Sequence, residues 1–88
     1  LCQPFGNFTL NFNYFNSKLN SVIGRMSRKH KELFCAITKK RPLVVKEKAL
    51  DYFLIEAGGS DYWVKFNSGF IWLHQGKTPF NPEKIPLS

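Results

Sequence analysis

Two runs of aromatic and β-branched residues lie either side of a short loop in the C-terminal half, and they restrict the fold more than any other feature. Tyr62-Trp63-Val64-Lys65-Phe66 and Phe70-Ile71-Trp72-Leu73-His74 flank Asn67-Ser68-Gly69. Such side chains suit a pleated, half-buried surface, and a loop of this kind closing on glycine predicts a β-hairpin with Gly69 at positive φ. Side chains alternate across a strand, so Tyr62, Val64 and Phe66 share one face, with Trp63 and Lys65 on the other. Likewise Phe70, Trp72 and His74 oppose Ile71 and Leu73. Both faces are apolar. One is core; the other either packs beneath a helix or forms an open aromatic platform, for which Trp63 beside Lys65 is the contact candidate.

Upstream, Phe8, Leu10, Phe12 and Tyr14 alternate with Thr9, Asn11 and Asn13, and this period of two predicts a strand over 8–14. Asn16 and Ser17 are N-cap types, and Leu19, Val22, Ile23 and Met26 follow at helical spacing, predicting a helix over about 17–31. The stripe runs on through His30, Leu33, Phe34 and Ile37. One helix to Lys40, or a shorter helix followed by a strand over 33–38, both fit; Gly24 and Ser27 favour the shorter helix. Pro42 is a break, and Leu43-Val44-Val45 is β-prone. Ala49, Leu50, Phe53, Leu54 and Ala57 predict a second helix over 46–57, stopped by Gly58-Gly59.

The resulting expectation is an α+β fold. An antiparallel sheet carries the hairpin 62–66/70–74 and packs against one or two helices, about 17–31 and 46–57. A helix followed directly by a hairpin also fits a winged-helix arrangement, kept as the alternative. Residues 1–76 are expected to form one compact domain. Residues 77–88, with Pro79, Pro82 and Pro86, are expected to form an extended tail held by Phe80 and Ile85. At 88 residues the chain has room for one domain, and nine Phe supply a core. No apolar run reaches the ~20 residues of a membrane-spanning helix. The first residue is Leu1 and not Met, which reads as a processed product or a piece of a longer protein.

Charge is the main functional signal. Thirteen Lys and Arg against six Asp and Glu give +7, which favours anionic partners. Arg25, Arg28, Lys29, His30 and Lys31 form one cluster, and Lys39, Lys40 and Arg41, followed by Lys46 and Lys48, a second. Glu32 is the lone acid from 18 to 46. The expected function is a non-catalytic nucleic-acid-binding module that uses a basic surface over 25–48, extended by Lys65, for phosphate contacts. The alternative is a protein-interaction module for an acidic partner, anchored by exposed aromatics or by an edge strand such as 8–14.

Catalytic and metal chemistry find little to work with. Cys2, Cys35, His30 and His74 match no zinc spacing, and Asp51, Glu56, Asp61 and Glu83 are not grouped in the sequence. Cys35, among Leu33, Phe34, Ala36 and Ile37, reads as a buried inert thiol. No motif frames a serine nucleophile, and Gly58-Gly59-Ser60 lacks the lysine of a phosphate-binding loop. No catalytic residue, cofactor or metal is therefore assigned; the enzyme alternative is a small nuclease using His30 or His74. An intracellular setting is expected. Secretion is the alternative, on the strength of a Cys2 to Cys35 disulfide and the sequon at Asn7.

Overall fold

A computed structural model describes residues 6–88, with side chains from residue 11 onward. Two helices, α1 (Gly6–Ile23) and α2 (Arg28–Lys39), precede five strands. These are β1 (Leu43–Lys48), β2 (Tyr52–Ala57), β3 (Ser60–Phe66), β4 (Phe70–Gln75) and β5 (Glu83–Pro86). They pair in chain order, each antiparallel to the next, in one sheet. The class is α+β with the expected hairpin in place. The element order, two helices and then an up-and-down sheet, is not a winged helix.

Residues 8–14 are helical, and the expected strand there is corrected. A helical stripe competes with the period of two: Phe12, Phe15, Leu19, Val22 and Met26 recur at three- and four-residue steps. Phe15 and Leu19 are buried, whereas Tyr14 is 44% exposed. Burial of that stripe outweighs the poor helix propensity of Asn11 and Asn13. The helix expected over 17–31 breaks at 24–27. There the amides of Arg25 and Met26 bond back to the carbonyls of Val22 and Ile23, and Ser27 caps α2 by accepting from the His30 amide. Residues 33–38 are helical, with Phe34 and Ile37 buried.

The helix expected over 46–57 is also corrected: its ends are β1 and β2. Phe53, Ile55 and Ala57 point into the core while Leu54, buried too, faces the other way. A central strand apolar on both sides shows no alternation, so its sequence mimics a helical stripe. Leu50, a member of that supposed stripe, is 90% exposed at the β1–β2 turn. Gly58 and Gly59 are not a helix stop. At φ +62° and +87° they form the two-residue turn between the paired Ala57 and Ser60. Both positive angles match the type I′ hairpin turn, whose twist suits the flanking strands. Gly69, expected at positive φ, does not take it.

One face of the sheet is the floor of the core. Val45, Phe53, Ile55, Tyr62, Val64, Phe66, Ile71, Leu73 and Ile85 meet Phe15, Leu19, Phe34 and Ile37 from the helices and Met26 from the turn between them. Phe15, Phe53 and Phe66 pack edge to face, with centroids 5.3–6.1 Å apart. Of the proline-rich segment, Ile85 is fully buried in β5, while Phe80 is exposed. The C-terminal residues fasten this edge to the helix layer. Leu87 donates to the Gly69 carbonyl, Ser88 to the Arg25 carbonyl, and Arg25 Nε to the Ser88 carbonyl.

Candidate nucleic-acid interface

Because both helices pack on the core face, the alternate residues of the strands form a second face. Among the described residues no helix covers it. Register places Tyr52, Lys65, Trp72 and Lys84 side by side across β2 to β5. The next row carries Leu54, Trp63 and His74, and Phe70 stands beside Pro86 on the opposite side. Tyr52, Trp63, Phe70, Trp72 and His74 are each only partly exposed, and none belongs to the core cluster.

The rings form two pairs. Tyr52 and Trp63 lie 5.9 Å apart, tilted by 33°. Phe70 and Trp72 lie 5.3 Å apart and nearly perpendicular. Lys84 Nζ stands 4.5 Å from the Phe70 ring centre and 6.0 Å from that of Trp72, within cation–π range. Lys65 lies between the pairs, with Asp51 Oδ2 3.7 Å from its Nζ. Along the row, aromatic and cation alternate at the ~4.8 Å spacing of adjacent strands.

Charge is uneven on this face. Glu47, Glu56 and Asp61 occupy the corner made by β1, β2 and the start of β3. Lys46 enters that corner from the β1 bulge and pairs with Asp61 at 3.1 Å. The β4 and β5 portion carries Lys84 and His74 with no carboxylate of its own, since Glu83 faces the core side and holds His30 Nε2 at 3.1 Å.

The basic residues expected to share one surface fall into three groups. Arg25, Arg28, Lys29 and Lys31 are exposed around the α1–α2 turn and the start of α2. Arg28 is 3.7 Å from Glu32 there. Lys39, Lys40 and Arg41 are at the other end of α2, roughly 18 Å away for a helix of this length. Lys40 Nζ donates to the Tyr62 hydroxyl, and Arg41 Nη1 donates to the carbonyls of Thr38 and Lys40. Lys46 and Lys65 belong to the open sheet face, with Trp63.

Two residues of that face escaped the sequence reading. Lys84 was assigned to a tail, although Lys84-Ile85-Pro86 already alternates outward and inward. Tyr52 lies within 46–57, where the spacing predicts a helix. Elsewhere, a shallow cleft of about 330 Å³ lined by Lys18, Ser21, Val22, Phe66, Asn67 and Ser68 lies between α1 and the β3–β4 turn. Cys35 is exposed on α2, which corrects the buried thiol; Cys2 lies outside the described residues. Among the described residues, no three His, Cys, Asp or Glu side chains gather where they could hold a metal. No helix among them is long and apolar enough to cross a membrane. Compared with protein-family models, curated proteins and solved structures, the chain matches none.

Proposed function

We propose that this domain binds nucleic acid and carries out no chemistry on it. The observation behind this reading is the row Tyr52, Lys65, Trp72 and Lys84 on a sheet face that, among the described residues, no helix covers. Rings offer stacking surfaces to bases and lysines offer charge to phosphates, at the spacing of neighbouring strands. The basic residues over 25–48 have a supporting role. At +7 the whole molecule attracts a polyanion, and Arg25, Arg28, Lys29, Lys31, Lys39, Lys40 and Arg41 contribute long-range field from the helix layer.

The acidic-protein reading rests on the same exposed rings. Its edge-strand anchor is not 8–14, which is helical; the edges of the sheet are β1 and β5. Titration of labelled single-stranded DNA, duplex DNA and RNA by fluorescence anisotropy at two salt concentrations tests the proposal. Micromolar or tighter binding is expected, weakening with salt as about 0.7–0.9 counterions are released per neutralised phosphate. Absence of binding to all three at low salt rejects it and directs the search to an acidic protein.

A further inference from the structure

We infer that the ligand is unpaired nucleic acid, bound with its bases stacked on the Tyr52/Trp63 and Phe70/Trp72 pairs and its phosphates beside Lys65 and Lys84. This rests on the nucleic-acid reading and narrows it to strand class and path. In a duplex the base faces are already stacked on one another, so exposed rings gain nothing from them. Unpaired bases are free to stack, and aromatic side chains on a sheet are a recurring platform for them. Here the cations are interleaved with the rings across one sheet face, whereas a groove reader presents a projecting element.

Charge complementarity sets the path. The corner of Glu47, Glu56 and Asp61 repels a phosphate backbone, so the strand follows the row from Tyr52 toward β5 and ends at the cation Lys84. Three strand spacings make that row roughly 14 Å long, room for a short run of nucleotides at most. Few groups on the face can read base edges; His74 is one. Binding is therefore tolerant of sequence, as stacking generally is.

The chain contains two tryptophans, Trp63 and Trp72, and both are on this face. Intrinsic tryptophan emission thus reports on the proposed site and not on the helix clusters. The experiment titrates the unlabelled protein with oligomers of about twelve nucleotides, as oligothymidylate, oligouridylate and a self-complementary duplex, following quenching and affinity together. The expected result is strong quenching by either single strand, with affinity at least about tenfold above the duplex. Trp72→Leu, which keeps apolar bulk but removes the ring, should weaken single-strand binding by about tenfold. Lys84→Ala should lower the salt slope by about 0.7 without touching the core; it remains informative if Trp72→Leu fails to fold. The two single-strand arms identify the preferred sugar. Equal binding of duplex and single strand without quenching overturns the inference while nucleic-acid binding stands. No binding by any oligomer removes both. Quenching that depends on protein concentration alone, with a dimer in sedimentation, makes the face a self-association surface and also overturns it.

Discussion

Lys84 Nζ stands 4.5 Å from the centre of the Phe70 ring, on a strand that the sequence alone marks as a proline-rich tail. The contact holds an ammonium against the aromatic row while leaving it exposed to solvent. Lys84→Glu reverses one charge at the cationic end of the row and removes the cation–π contact, which contributes about 0.5–1 kcal/mol at an exposed site. Single-strand affinity should fall more than tenfold at low salt, while the melting temperature shifts by only a few degrees. Anisotropy at two salt concentrations, with a thermal melt as control, measures both.

The acidic corner makes the opposite prediction. Glu47 and Glu56 oppose a phosphate strand approaching the Trp63 row, and neither forms an ion pair among the described residues. Glu56→Gln or Glu47→Gln should raise nucleic-acid affinity by about twofold at low salt, with the gain fading as the screening length falls below the ~10 Å reached at 0.1 M. A titration series in salt distinguishes this from a change in fold, which would lower affinity at every concentration.

How much of this was legible depended on whether an element had one competing period or two. The β3–β4 hairpin was readable because Trp63, Lys65 and the alternate Tyr62, Val64, Phe66 admit no helical stripe. Residues 8–14 were not, because Phe12 belongs both to an alternating set and to a helical set completed by Phe15 and Leu19. Segment 46–57 failed for a different reason. Phe53, Leu54 and Ile55 are consecutive and all buried, since β2 is central and apolar on both sides. The candidate interface suffered in turn. Trp63 and Lys65 were named correctly as neighbours on one face, but Tyr52 and Lys84 join them only through strand register, which no local pattern encodes. The basic clusters were visible as runs of charge, yet their distribution over the two ends of α2 and the far sheet face is a tertiary fact.

Leu50 and Phe34 test the revised topology directly. If 46–57 were a helix, Leu50 would lie in its buried stripe; on the β1–β2 turn it is 90% exposed. Leu50→Ala should leave stability within about 0.5 kcal/mol of the parent, as for an ordinary surface change. Phe34→Ala, at a fully buried position on α2, should cost about 3–5 kcal/mol. Denaturant unfolding followed by circular dichroism compares the two.

The turn of Gly58 and Gly59 gives a backbone test. At φ +87° Gly59 is in the left-handed region, where an alanine costs about 1–2 kcal/mol although its Cβ meets nothing within 4 Å. Gly24, between the helices, has equal space and no positive φ. Gly24→Ala should therefore be neutral or stabilising by up to about 1 kcal/mol, and Gly59→Ala destabilising. Equal melting temperatures for the two variants would contradict the type I′ geometry of the β2–β3 turn.

The helix cluster and the sheet face should separate kinetically. Arg28, Lys29 and Lys31 project from the start of α2, on the layer opposite the open face. If they act by attraction at a distance, replacing all three with Gln lowers the association rate and its salt dependence. The dissociation rate and the amplitude of tryptophan quenching should stay unchanged, because both are set by stacking at Trp63 and Trp72. Stopped-flow fluorescence with a single-stranded oligomer resolves the two rates. An increase confined to dissociation would mean that the cluster grips phosphates in the bound complex, and the interface would then have to extend around the edge of the sheet to α2.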